Sequence, residues 1–596
     1  MTLLSSILGA ANLIASLPQS ITNGKCGSVL GTLDAPRLQP FLTNNPLPHG
    51  YPWGKRTAEE SSPHGDAPNT GVIRSFNFEI ARHWVAPDGV NRSATLINGQ
   101  YPGPMIEANW GDTIQVTVTN KISSPEEGTS LHWHGILQKE TPWFDGVPSV
   151  SQCPIAPNGT FTYSFRADVY GTGWYHSHYS AQYANGVFGP MIIHGPAHAE
   201  YDYDLGPVMV NDYFHDDYYA IVQNITGQIT VPYSDNNLIN GKMSFDCALA
   251  RGRDCIPNAG VSKFKFTTGK THRLRLINSG AEGLQKFTID NHTMTVIAND
   301  FVPVKPYDTN VVTLGVGQRT DVIVKATGCS TDAYWMRSYI STTCSHTNQS
   351  TALAAIYYED ANTSTTPKSV ATTFTSTNCS NDDISITEPL YIEAPPAKPA
   401  FTQDLEISFG ANETGALVWK MNNQSFLANY NHPLLLLANL GNTSYPYDPQ
   451  WNVYNFGRSK SIRLILHSID PFSHPMHLHG HNFWVVAQGT GRWNGTITRP
   501  HNPQRRDTQL IDAGNPAKLE PGGESYIVLD FIADNPGVWP FHCHVAWHVS
   551  DGLYINIMER PCDISERSIP SIMAQTCRDW AYYSGHNVVN QIDSGE

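Results

Sequence analysis

The sequence has no surplus of positive charge. Lysine and arginine number 37 against 52 aspartates and glutamates, for a formal net charge of −15. That argues against nucleic acid or an anionic membrane as partner. Simple solubility is the main cause of such an excess, and an acidic extracellular setting also fits it. Long apolar runs are missing too. The stretch from Met1 to about Pro18 is too short and too interrupted to span a bilayer, and no other stretch is a candidate. It also lacks an early Lys or Arg, so it reads as a secretion signal with a weak charged end, residues 1–18. No long amphipathic helical pattern stands out, and there is no short-period repeat.

What the chain does contain is β-structure in short pieces. Thr, Val, Tyr and Phe come in brief runs cut by Gly, Pro, Asn and Asp. Ile114-Gln-Val-Thr-Val-Thr119 alternates cleanly, as do Phe264-Lys-Phe and Asp321-Val-Ile-Val-Lys325. A length of 596 residues exceeds one domain and suits three of about 150. A hydrophobic content of 40% allows large cores. The pattern alone gives an all-β sandwich architecture. A Thr/Ser/Asn/Pro-rich stretch from about Ala361 to Pro399 reads as an extended linker.

Processing signals agree with secretion. Lys55-Arg56 precedes an acidic, Ser/Pro-rich segment, which suggests a cut before Thr57 and a propeptide over 19–56; an ordinary surface pair is the alternative. Glycosylation acceptors of the N-x-Ser/Thr type are dense, at Asn91, Asn158, Asn224, Asn291, Asn348, Asn362, Asn378, Asn412, Asn423, Asn442 and Asn494. Of ten cysteines, Cys26 falls in the prosegment and Cys543 in the motif described next. The even remainder fits disulfides and an oxidising compartment, with Cys247–Cys255 a plausible local loop.

Cys543 lies between His542 and His544, with His548 five positions on. A soft thiolate among imidazoles suits copper. Three other segments carry His-x-His pairs: His132-Trp-His134, His176-Ser-His178 and His474-Pro-Met-His477-Leu-His479-Gly-His481. In an extended strand each pair presents two imidazoles on one face. A single such histidine is more often a core or surface residue than a ligand. Four pairs, one enclosing a cysteine, are not a chance arrangement, and structural zinc would want a tighter four-ligand set.

With these motifs the chain resembles the multicopper oxidases, and within them fungal laccases of the ascomycete type, from about Gly71 to the C-terminus. The resemblance implies three consecutive cupredoxin-like Greek-key β-sandwiches at 70–197, 198–365 and 400–560, a linker at 366–399 and a tail at 561–596. It implies four coppers. The type 1 ion would take His474, Cys543 and His548. The type 2 ion would take His132 and His477. The type 3 pair would take His134, His176 and His544 on one ion and His178, His479 and His542 on the other. Leu553 would occupy the type 1 axial position without ligating, which raises the potential. His481 lies outside the ligand pattern and reads as a supporting residue.

The resemblance also assigns acids and a pocket. Asp145 matches the acid near the type 2 ion and would help supply protons; an Asp-Gly turn residue is the plain alternative. Ala546 stands where basidiomycete relatives carry an acid. Glu282 matches the pocket carboxylate that accepts a phenolic proton, against a plain solvated loop acid. Leu417, Trp419 and Phe472 fall near the pocket wall. Cys153–Cys577 and Cys344–Cys379 are the implied disulfides, leaving Cys329–Cys562 as the remainder. Ascomycete relatives often end in Asp-Ser-Gly-aliphatic, plugging the channel to the cluster; here Asp593-Ser-Gly ends in Glu596.

The implied activity is one-electron oxidation of phenols and aromatic amines, coupled to reduction of dioxygen to water. Electrons would pass through Cys543 to His542 and His544. The implied partners are those small substrates and dioxygen, with the chain a secreted monomer that needs neither nucleic acid nor membrane. A metallo-oxidase is the alternative and would want acids for Fe(II) beside His548. A silent copper-binding protein would have lost ligands, and none is lost here.

Overall fold

The computed structural model describes residues 28–43, 50–228, 231–441, 449–515, 523–586 and Gly595. They form six sheets, paired into three sandwiches. Alternation is the local cause. Strand Thr113–Asn120 buries every second side chain, Ile114, Val116 and Val118 among them, as a sheet with one face on the core requires. It lies between strands Ile73–Val85 and Thr160–Arg166. The opposing sheet of the first sandwich runs Ile106–Asn109, Phe188–His194, Gly171–His176, His132–His134. The second and third sandwiches each pair a six-stranded with a five-stranded sheet.

Each sheet contains one parallel pairing among antiparallel ones. In one sheet of each sandwich these are Ile73–Val85 with Thr113–Asn120, Tyr203–Tyr213 with Thr271–Asn278, and Phe401–Ala411 with Ser461–Ser468. In the other they are Ile106–Asn109 with Phe188–His194, Ser262–Lys265 with Thr351–Tyr357, and Val453–Asn455 with Tyr554–Glu559. The threefold repetition is therefore topological. It leaves no period in the sequence because each strand must preserve only its alternation.

Helix Ser571–His586 departs from the sequence reading, which found no helical pattern. It buries Met573, Thr576 and Trp580 along one side. Two large apolar residues make too thin a stripe to stand out. The disulfide Cys153–Cys577, spanning 424 residues, ties this helix to the first sandwich. Cys247–Cys255 and Cys344–Cys379 are also bonded. Cys329 and Cys562 are not; both thiols are free and exposed. Cys329 sits in a turn of the second sandwich and Cys562 in helix Pro561–Ser565 after the third. Parity gave a count and no geometry, and only geometry makes a disulfide.

Two coil segments are sewn to the body. Leu38 bridges to Asp204, and the Asn109 side chain exchanges hydrogen bonds of 2.9 and 3.0 Å with the Leu42 backbone. Trp53 is buried, while Lys55 and Arg56 remain exposed. In the linker, Leu390 donates to Pro303 of the second sandwich at 2.8 Å. Asn502 of the third donates to Pro389, also at 2.8 Å.

Candidate metal centres

The strand Gly537–Cys543 organises the site. It pairs with His474–Leu478, setting Met476 opposite Cys543 and His477 opposite His542. Successive side chains in a strand point to opposite faces. Cys543 therefore shares a face with His474 and Met476, while His542 shares the other with His477. Two clusters form, one on each face of a single sheet, joined by the backbone between adjacent residues.

On the first face, Cys543 Sγ lies 3.6 Å from His474 Nδ1 and 3.6 Å from His548 Nδ1; the two nitrogens are 3.1 Å apart. A point equidistant from the three atoms lies about 2 Å from each, close to a metal–imidazole bond length. Short helix Ala546–Ser550 returns His548 to the cysteine. Leu553 closes the loop: its N–H donates to His548 at 3.0 Å, and its carbonyl accepts from Cys543 at 3.1 Å. Its side chain is fully buried. Burial pushes the Cys543 thiol up and His548 down, so without a cation these two groups are neutral.

On the second face eight imidazoles converge. His178, His479 and His542 form one compact group, and His132, His134 and His176 another; His132 and His477 join His479 in a third. His544 Nε2 lies 3.2 Å from His134 Nδ1, and His479 Nε2 lies 3.1 Å from His542 Nε2. Register explains part of this, because His132 pairs with His176 across adjacent strands. The expected strand for His176-Ser-His178 ends at His176, so His178 enters from the following turn. Burial and neighbouring imidazoles hold His134, His176, His477, His479, His542 and His544 well below the ordinary histidine range, and His178 at about 3.

The protein fixes which nitrogen each ring presents. His132, His176, His477 and His542 donate from Nδ1 to the carbonyls of Asp145, Ser177, Asp507 and Cys543, at 2.7–2.9 Å. Asp145 Oδ2 accepts from His479 Nδ1 at 2.9 Å, and its Oδ1 lies 3.2 Å from His132 Nδ1. His481 stays outside the cluster, between the His479 carbonyl and Glu559. Asp507 escaped the sequence reading. Its carboxylate lies 3.2 Å from His134 Nε2 and is held by both terminal nitrogens of Arg319 at 2.6 Å. Arg506–Asp300 repeats that link between the second and third sandwiches at 3.0 Å. The signal was the charged run Arg505-Arg506-Asp507 inside a buried strand region.

A cavity opens at the edge of His548. Glu282, Trp419 and Phe472 line it. Leu417, placed there by resemblance, does not; it sits half-buried at the end of its strand opposite Ala411. Trp419 packs against His548 with ring centres 4.5 Å apart, and Phe472 at 6.4 Å. The Glu282 loop is docked from both sides. Asp212 accepts N–H groups from Ala281, Glu282 and Gly283 at 2.6–2.8 Å, and Ala546 donates to the Ala281 carbonyl at 2.7 Å. Burial, then the Asp212 charge, pushes the Glu282 carboxyl up to about 8. Two further acids, Asp470 and Asp551, also line the cavity; both lie beside motifs already singled out, as isolated charges in apolar or hydroxylic runs. Of the expected tail plug only Gly595 is among the described residues. It is buried, exchanging hydrogen bonds with Phe426 and Ala428 at 2.7 and 2.8 Å.

These residues fit metal ions. His132 Nε2, His176 Nε2, His477 Nε2 and His544 Nδ1 are buried without a hydrogen-bond partner, and each such atom costs about 1–3 kcal/mol unless something fills it. Neutral imidazoles with one thiolate, the latter in a trigonal set, select copper.

Known proteins agree with this reading. The multicopper oxidase family matches in three successive segments, residues 79–198, 204–361 and 411–563. Laccase-2 of Botryotinia fuckeliana is 38% identical over 539 residues, covering 89% of each chain. Oxidoreductase OpS5 of Beauveria bassiana is 38% identical over 541 residues, again covering 89% of each. The crystal structure of laccase from Botrytis aclada superposes with a TM-score of 0.83 at 35% identity, covering 91% of this chain and 98% of the other. The three sandwiches are thus cupredoxin-like, copper is the metal that this family implies and that the histidine and cysteine clusters could hold, and the chain belongs to the multicopper oxidase family.

Proposed function

We propose that this enzyme is a laccase that takes single electrons from phenols and aromatic amines and reduces dioxygen to water. The observation that carries the reading is the placement of a thiolate site and an eight-histidine cluster on opposite faces of one strand, joined by the backbone of His542-Cys543-His544. His474, Cys543 and His548 would hold the type 1 copper. His132 and His477 would hold the type 2 copper, and the six remaining cluster histidines the type 3 pair. When bound, these coppers supply one-electron oxidation at the thiolate and four-electron reduction of dioxygen at the cluster.

The chain's own groups do the rest. A flat ring fits against Trp419 and Phe472 at the His548 edge. Glu282 takes the phenolic proton as the electron leaves. Asp145, bonded to His479 and beside His132, is the acid best placed to pass protons to the cluster. Leu553, buried beside Cys543 and His548, would offer a copper held there no donor atom, which would favour a high potential. Three disulfides fit an oxidising compartment, and among the described residues no helix is long and apolar enough to cross a membrane. We read the chain as a secreted monomer.

Oxygen uptake by the copper-loaded protein tests this. A methoxyphenol should outrun Fe(II), ascorbate and bilirubin, with little peroxide released. Preference for Fe(II) would turn the reading to a metallo-oxidase, and peroxide as the main product would end it.

A further inference from the structure

The wall of the His548 cavity continues outward past Trp419. That residue packs on His548 and is 5% exposed. Its cross-strand partner is Phe409, directly opposite it where strand Phe401–Ala411 pairs with strand Leu417–Met421. Directly opposed residues share a face of the sheet. The two rings therefore meet, with centres 4.8 Å apart and planes 49° apart. Phe409 lines the same cavity and is 45% exposed. Val231, just after helix Tyr218–Gln228, also lines it and is 47% exposed. Ile225 of that helix and Pro232 extend this apolar rim.

A single exposed apolar side chain is ordinary, but apolar groups gathered along a concave surface mark a binding groove. This groove is continuous with the edge of His548. A ring held against Trp419 and Phe472 for oxidation leaves Phe409 half in water. A second ring lying on Phe409 takes that surface out of water and adds an aromatic pair. The angle between the Trp419 and Phe409 planes decides how the second ring is attached. Two rings joined by a single bond can twist to follow both faces. A fused bicycle is flat and can lie on only one.

We infer that this rim is a subsite for a second aromatic ring. The cavity takes phenols whose oxidisable ring carries another ring through a single bond, and Phe409 sets that preference. The inference rests on the laccase reading and names its substrate class. The first ring gives up its electron and proton as before; the second is bound and not transformed.

Benzyl alcohol, its naphthalene analogue and its biphenyl analogue provide the test. None carries a phenolic hydroxyl, so calorimetry reads their binding to the copper-loaded enzyme without turnover. The biphenyl alcohol should bind the native enzyme most tightly. In F409A its dissociation constant should rise about five- to tenfold, the upper range of what an aromatic pair supplies, while the other two hardly move. F409Y, which keeps a ring, should restore it. Visible colour reports an intact thiolate site; if F409A does not fold, F409L, which keeps an apolar side chain without a ring, is read the same way. An unchanged biphenyl constant in a coloured variant overturns the subsite. Equal weakening of all three overturns it too, because Phe409 would then serve only to support Trp419. Equal weakening of the naphthalene and biphenyl alcohols overturns the single-bond class. Oxygen uptake with a methoxyphenol and a biphenyl phenol is read separately. If neither is oxidised while the biphenyl preference holds, the laccase reading falls and the subsite stands.

Discussion

The thiolate site and the histidine cluster sit on the two faces of one strand, yet they are built in opposite ways. All three thiolate-site residues come from the third sandwich, within the segment from His474 to His548. The cluster draws its histidines from the first and third sandwiches, at opposite ends of the chain. The thiolate site is closed by local hydrogen bonds at Leu553 and opens onto a cavity. The cluster is sealed and leans on Asp507, which Arg319 of the second sandwich holds. A local site should answer to local substitutions, and a bridging site to the interfaces that align its halves.

Substitutions can break that contrast. The largest effect belongs to Cys543→Ser, which removes the thiolate and the link between the faces. Colour should vanish, bound copper should fall from four ions to three per chain, and turnover should drop at least about a thousandfold; copper analysis and visible absorption check it. A coloured variant would remove the type 1 assignment. Next comes Arg319→Met. It strips the charge from a fully buried pair and leaves Asp507 uncompensated, at a cost of about 3–5 kcal/mol. If the cluster depends on the interface, thermal unfolding should come earlier and cluster copper should be lost while the blue colour persists. Loss of both sites together would show that the two are one unit.

The two designs differ in how far the sequence reveals them. Every histidine and the cysteine stand in four short motifs, because alternation along a strand is a local property and His-x-His pairs report it. What supports them is not local. Asp507 and Arg319 are 188 residues apart, and no pattern near either names the other. Leu417 fell outside the cavity although Trp419, two positions on, lines it; which part of a strand reaches a pocket depends on where the strand ends. Cys329 and Cys562 could be counted but not positioned. Helix Ser571–His586 was hidden because a disulfide and two large side chains suffice to dock it.

Glu282→Gln sharpens the contrast from the cavity side. General-base help amounts to about a hundredfold, so phenol oxidation should slow by about that much while a non-phenolic electron donor changes little. Burial and the Asp212 charge raise the Glu282 carboxyl to about 8, and His346, whose N–H bonds Oε1 at 3.3 Å, opposes them. A raised value means the acid form prevails below it. Proton acceptance therefore grows as pH rises toward 8. Phenol kcat/KM, divided by that of the non-phenolic donor, should rise with pH in the native enzyme and stay flat in E282Q. Equal slowing of both donors would deny the residue its proton.

The smallest effect expected is that of Leu553→Met, and it isolates the thiolate site best. Leu553 is bonded through its backbone to both Cys543 and His548, so the loop survives a change of side chain. Leucine and methionine have similar volumes, and such swaps cost under about 1.5 kcal/mol in a packed core. What changes is the donor: a thioether sulfur facing the site stabilises the oxidised ion and lowers its potential. A fall of about 60 mV corresponds to about tenfold in a one-electron equilibrium. All substrates should slow together, phenolic or not, in contrast to E282Q. The cluster, on the far face of the strand, should keep its copper and its potential. Redox titration of the visible band settles it: an unchanged potential would mean that the Leu553 side chain does not face the axial position, and a shift at the cluster would mean that the two faces are not independent.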